Sequence, residues 1–181
     1  MEIVPLAQHH LDQATVLSQA ETWPHRLEDW QMLMTLSQGR AALRDGVVIG
    51  IALRTDYGPD VSLLNMIIVR QSERGQGIGY KLMSSLMDKV SGRELRLAAT
   101  KAGVPLYEKL GFESEREIIQ CQGEIAPVSL PDRRISPAKP EDTHAIIELD
   151  SRFLAADRSA LVQWLAKYAR LAVVRGERDE V

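Results

Sequence analysis

The chain holds a single cysteine, Cys121, so no disulfide can close within it, and its four histidines (His9, His10, His25, His144) lack the spacing of metal ligands. Thiol redox chemistry and a zinc or other metal centre are therefore not expected. Charge of one sign is also missing: 22 basic side chains stand against 25 acidic ones, a net charge of −3. Such a balance gives no field to hold a nucleic-acid backbone, although arginine outnumbers lysine 16 to 6 and suits local phosphate recognition. No apolar run approaches the roughly 18 residues of a membrane span, and Met1-Glu2-Ile3-Val4-Pro5 lacks the basic and then apolar stretch of a leader. The expectation is a cytoplasmic protein with neither nucleic acid nor membrane as partner.

What is present is ordinary globular material: 181 residues, 45% hydrophobic and 26% charged. That length supports one full domain and part of another, and the composition excludes disorder and fibrous repeats. Ile3 to Leu6 reads as a short strand, and Leu11 to Gln19 and Leu27 to Leu36 as helices. Arg40 to Arg44 and Val47 to Arg54 flank Asp45-Gly46, the dipeptide of a type I′ hairpin. Val61 to Val69 is almost continuously apolar, as a central strand covered on both faces must be. Ile78, Leu82, Met83, Leu86, Met87 and Val90 recur at helical spacing, and Ser91-Gly92 ends that helix. Glu94 to Ala99 reads as a strand, Val104 to Leu110 as a helix closed by Gly111, and Phe112 to Ile119 as a polar strand. The order β, α, α, β, β, β, α, β, α, β through residue 124 predicts an α/β fold of the α+β kind with a mixed sheet.

Pro127 and Pro131 mark 125–133 as a linker. Beyond it the opening pattern returns. An offset of 132 matches Ile3, Pro5, Arg26, Gln31 and Leu33 with Ile135, Pro137, Arg158, Gln163 and Leu165, and an offset of 131 then aligns Ala41 to Arg44 with Ala172 to Arg175. Residues 134–181 are read as a partial second copy that stops before any counterpart of the strand at 61–69.

The chemistry concentrates in Arg74-Gly75-Gln76-Gly77-Ile78-Gly79, between the most buried strand and the most periodic helix. Backbone amides and a helix dipole there face an anion. A Walker loop is excluded because no Lys-Ser/Thr pair follows at the right spacing, Lys81 standing between Tyr80 and Leu82. A dinucleotide fingerprint fails because Tyr80 and Leu82 occupy the places of its third glycine. The pattern Q/R-x-x-G-x-G/A is satisfied throughout. Thirty-three residues after Arg74 comes Leu106-Tyr107-Glu108-Lys109-Leu110-Gly111-Phe112.

With these two motifs in this order, residues 1–124 resemble the GNAT family of N-acetyltransferases. The resemblance implies a V-shaped mixed sheet flanked by helices, with acetyl-CoA as cosubstrate in the splay between two strands. It implies that the amides of Arg74, Gly75, Gln76, Gly77, Ile78 and Gly79 hold the pyrophosphate. Ile67, Ile68 and Val69 offer backbone groups to the pantetheine arm, and the Val69 amide polarises the thioester carbonyl. Tyr107 takes the place of the acid that protonates the departing thiolate.

Two positions depart from the family pattern. Thr100 stands where an asparagine often contacts the cofactor, and no carboxylate lies within Ser62, Leu63, Leu64, Asn65 and Met66 to take the amine proton. Asp60 precedes that strand, and a water relayed through Ser62, Asn65 or backbone carbonyls is the expected substitute. The partner is an amine of a small molecule, peptide or protein, with a homodimer left open. The rival reading is a non-catalytic acyl-CoA-binding or regulatory module.

Overall fold

In a computed structural model of the chain, residues 1–88, 90, 92–121, 123–124 and 134–176 are described. They fall into two compact units, Met1–Glu115 and Arg116–Val181. The expected linker at 125–133 lies outside the described residues.

The first unit runs β1 (Glu2–Pro5), α1 (Leu11–Ala20), α2 (Leu27–Leu36), β2 (Ser37–Arg44), β3 (Val47–Tyr57), β4 (Val61–Val69), α3 (Ile78–Met87), β5 (Glu94–Arg96) and α4 (Val104–Lys109). Its sheet has the order β1-β2-β3-β4-β5, antiparallel except for the parallel β4–β5 pair. The mixed sheet of the expected α/β class is therefore present. Asp45 and Gly46 both take positive φ, 52° and 78°, as a type I′ turn requires.

Each face of the sheet has its own core. Leu11, Ala14, Leu17 and Trp30 of α1 and α2 pack with Ile51, Leu53, Met66 and Ile68. On the other side Ile78, Leu82, Met83 and Leu86 of α3 pack with Ala52 and Leu64. β4 is thus covered on both faces, which is why its sequence is nearly all apolar. Arg54, buried beneath the end of α3, donates through Nη1 to the Leu86 carbonyl at 2.7 Å and through Nε to Asp56 at 2.9 Å.

Two expected strands change. β5 is three residues long rather than six, and residues 112–119 form no ladder. In that second stretch Glu113, Glu115, Arg116 and Glu117 interrupt the apolar alternation, and Ile118 and Ile119 stand 71% and 82% exposed. α3 ends at Met87, so the last expected turn, to Val90, is not helical.

The second unit contains β6 (Ile135–Pro137), α5 (Thr143–Leu154), α6 (Ser159–Tyr168) and β7 (Ala172–Val174), with β6 and β7 antiparallel. Adding 132 to the opening elements of the first unit reproduces these. The single turn at Gln8–His10 falls on Pro140–Asp142, Leu11 falls on Thr143 as a helix start, and Leu27–Leu36 falls on Ser159–Tyr168. Register follows the same offset: Ile3 pairs with Ala42, and Ile135 pairs with Val174. The expected slip to 131 does not occur. Even the turn chemistry repeats, since the Ala7 amide donates to His10 Nδ1 at 3.1 Å and the Lys139 amide to Asp142 Oδ2 at 2.7 Å.

Trp30 is fully buried and its indole N–H donates to Ser18 Oγ at 3.3 Å, joining α2 to α1. Trp30→Ala is expected to destabilise the first unit by about 3–5 kcal/mol, read by denaturant unfolding. A loss below 1 kcal/mol would show that the two helices do not depend on this contact.

Candidate functional site

Pairing between β4 and β5 extends only from Val61–Glu94 to Leu63–Arg96. Past that point β4 has no neighbour on this edge among the described residues. The opposite edge is disturbed as well: the register with β3 shifts between Ile51 and Leu53, and Met66, a non-glycine, sits at φ 50°. This is a bulge, with the backbone strain such a dihedral carries. A cleft of about 740 Å³ opens beside the bulge. It brings together Ile67, Ile68 and Val69 of β4, Arg74, Gly75, Gly77, Ile78 and Gly79 of the glycine loop, and Thr100 and Tyr107.

Of the expected contact residues only Gln76 is not a lining residue. Its side chain accepts from Arg44 Nη2 at 3.0 Å and donates to Glu73 Oε2 at 3.1 Å, so a cofactor contact of Gln76 is confined to its backbone. Gly75 and Gly77 take φ 77° and 72°, and a Cβ built on either meets nothing within 4 Å. Their backbone is open, and glycine is needed there for the dihedral alone. Gly79 differs, because a Cβ there would lie 3.0 Å from Leu106 Cδ2; it lets α3 and α4 approach. No side chain caps α3, and its first internal bond is Lys81 N–H to the Gly77 carbonyl. The Arg74 amide is spent on the Gln71 carbonyl at 3.3 Å, which leaves the amides from Gly75 onward for an anion, at the positive end of a ten-residue helix.

Arg74 does not extend from the loop into open solvent. Its Nε donates to the Val69 carbonyl at 3.0 Å, and its terminal nitrogen pairs with Glu21 from the turn after α1. Trp23, in the same turn, lines the cleft and meets His25 edge-on at 5.8 Å. Trp30 and Met34, by contrast, belong to the core. Sequence reading passed over Glu21, Glu73 and Arg44 because nothing in local spacing links residues 53 or 29 positions apart.

Tyr107 is 8% exposed, with its ring edge-on to Phe112 at 6.2 Å. Gly103 makes room for that ring: a Cβ there would lie 2.8 Å from Tyr107 Cε2. The Thr100 carbonyl accepts from the amides of Gly103 and Val104, fixing the start of α4. Gly111, at φ 86°, ends the helix as its sequence position suggested. Burial raises the Tyr107 pKa above the ordinary phenol value, so the group holds its proton at neutral pH.

The expected water relay loses one member. Ser62 is fully buried and its hydroxyl donates to Asp56 at 2.6 Å, on the α3 side of the sheet. Asn65 Nδ2 donates to Thr55 Oγ1 at 2.9 Å, and its buried Oδ1 has no protein partner.

Residues 38–114 match the profile of the acetyltransferase (GNAT) domain. Over these residues the first unit is similar to GNAT acetyltransferases. It is similar over 98% of its length to the uncharacterised N-acetyltransferase YitH of Bacillus subtilis, at 24% identity, covering 64% of that protein. A candidate acetyltransferase from Pyrococcus horikoshii shares its fold at TM-score 0.73 and 17% identity, over 96% of this chain and 64% of its own. The aminoglycoside N-acetyltransferase AAC(6')-Iy, solved in complex with CoA, aligns along 100% of its length with 68% of this chain, at TM-score 0.53 and 22% identity. The chain thus spans 64% of the length of its first two relatives. Among the described residues no helix is long and apolar enough to cross a membrane.

The raised Tyr107 pKa carries a stability consequence. The native first unit keeps a proton that the unfolded chain gives up near pH 10, so the contribution is complete below about pH 10 and falls as pH rises further. Tyr107→Phe removes this dependence. Unfolding titrations from pH 8 upward should show wild type losing stability above about pH 10 faster than the variant, and parallel curves would contradict the buried phenol.

Proposed function

We propose that this chain is an acyl-CoA-dependent N-acetyltransferase that moves the acetyl group of acetyl-CoA directly to an amine, in the cytoplasm, with residues 1–124 carrying the activity. The observation that carries the reading is the meeting, in one cleft on the free edge of β4, of open glycine-loop amides and a buried, protonated Tyr107. Amides from Gly75 to Gly79 hold the pyrophosphate, and backbone groups of Ile67 and Val69, on the free edge, complete their hydrogen bonds with the pantetheine arm, while Ile68 between them pairs with Ile51 of β3. Thr100 offers its hydroxyl where it lines the cleft.

Acetyl-CoA supplies the activated acetyl carbon. The Val69 amide stabilises the oxyanion that forms as the amine nitrogen attacks that carbon. As the carbon–sulfur bond breaks, Tyr107 donates its proton to the thiolate and is reprotonated from solvent; the amine proton leaves to water. No nucleophile pair is required, and no acyl-enzyme forms. The acceptor is an amine of a small molecule, peptide or protein. AAC(6')-Iy, by its name, acts on aminoglycosides.

Residues 134–181 are read as a partial second GNAT-like segment. Support comes from the common offset of 132 in element bounds, register and turn chemistry, and from AAC(6')-Iy using its full length on 68% of this chain while the Pyrococcus protein follows 96% of it. The glycine loop and Tyr107 both lie in the first unit.

CoA release from acetyl-CoA, measured across an amine panel, tests the reading. Tyr107→Phe is expected to lower turnover roughly 10²-fold with acetyl-CoA affinity nearly intact, because only a transition-state proton donor is lost. Wild-type turnover in that variant would remove the role. Binding without turnover on any amine would favour the non-catalytic module instead. A chain ending near residue 124 should bind acetyl-CoA as tightly as the full chain by calorimetry; a folded truncation that loses the cosubstrate would end the assignment of the site to the first unit.

A further inference from the structure

A Cβ at Gly75 or Gly77 would meet nothing within 4 Å, so packing does not fix this part of the glycine loop. What reaches it from outside the cleft is Arg44, the last residue of β2. Arg44 Nη1 lies 2.6 Å from Glu73 Oε2, and its Nη2 donates to Gln76 Oε1 at 3.0 Å. Gln76 closes the ring by donating to Glu73 Oε2 at 3.1 Å. Three side chains from two distant segments thus hold one another across the outer side of the loop. The arrangement has an electrostatic side as well. Glu73 is itself a lining residue of the cleft, with its side chain only 14% exposed, so its charge lies close to where a pyrophosphate is to sit. The other lining glutamate, Glu21, is paired with Arg74.

We propose that Arg44 is a positioning residue for the acyl-CoA site, cancelling the Glu73 charge and pinning Gln76 so that the loop amides stay turned to the cleft; this rests on the acyl-CoA reading of that cleft. A guanidinium suits both tasks because its planar fork reaches a carboxylate and an amide oxygen at once, which an ammonium does not. With its own side chain 39% exposed, Arg44 is screened by solvent and contributes little to folding. Its effect belongs to anion affinity.

Calorimetric titration of the full chain with acetyl-CoA, at low and high salt, provides the test. Arg44→Met should weaken acetyl-CoA roughly fivefold or more at low salt, with the deficit shrinking in high salt and the melting temperature almost unchanged. Arg44→Lys should recover part of the loss. Glu73→Gln placed on Arg44→Met should restore most of the affinity, since no unpaired carboxylate then faces the pyrophosphate. Pantetheine, which carries no phosphate, should show no salt-dependent loss on Arg44→Met. Unchanged acetyl-CoA affinity in Arg44→Met overturns the proposal, as does a double variant as weak as the single one or a loss that only follows melting temperature. Wild type that binds no acetyl-CoA overturns the acyl-CoA reading itself, an outcome separate from these.

Discussion

Parallel pairing between β4 and β5 stops at Leu63 and Arg96, and the rest of the site depends on that early stop. Had β5 kept the six residues its sequence suggests, the same register would carry its ladder to Met66, up to the backbone of Ile67 to Val69. Instead the chain leaves the sheet after Arg96, and the Thr100 carbonyl starts α4. A free strand edge leaves donors and acceptors unpaired, a liability in most sheets. Here the edge faces a cleft rather than a partner strand, and the bulge at Met66 interrupts the β3 ladder at the same level. Unmet hydrogen bonds of this kind suit a ligand that is itself an extended chain of amides.

Glycine serves two purposes along this cleft. Gly75 and Gly77 hold left-handed dihedrals in open space, so the side chain is absent for the sake of the backbone. Gly79 and Gly103 have ordinary dihedrals and are small because Leu106 and the Tyr107 ring occupy the space beside them. Tyr107 is therefore packed from two sides, by Phe112 and by the space at Gly103, and its burial keeps the phenol neutral. Charge is arranged with the same economy. Each glutamate lining the cleft has its own arginine, Glu21 with Arg74 and Glu73 with Arg44.

Much of this was legible in sequence wherever the signal is local. α2 and β4 fall on the residues that periodicity indicates, and the glycine loop and Tyr107 share one cleft. Legibility failed where the determining contact is distant. The length of β5 depends on where its partner strand ceases to offer a ladder, which alternation within residues 94–99 does not encode. Residues 112–119 carry enough apolar positions to suggest a strand, but their charges leave no consistent inward face. Gln76 fits the loop motif, yet its side chain is claimed by Arg44, 32 positions away. No periodicity reports such a bond.

The offset of 132 extends this argument to the second unit. Its equivalences cover β1, α1, α2 and β2, the elements that precede the cleft, and none of those that form it. After Arg134 the only glycine is Gly176, so no second glycine loop can be built from 134–181. In the first unit α1 and α2 bury their apolar faces because β3 and β4 supply Ile51, Leu53, Met66 and Ile68 against them. In the second, the described strands are β6 and β7 alone, and Ile135, Phe153, Tyr168 and Val174 stand 47%, 78%, 60% and 54% exposed. A two-stranded ribbon is marginal without a covered face. Among the described residues the opening elements thus meet β3 and β4 in the first unit, and a two-stranded sheet of β6 and β7 in the second.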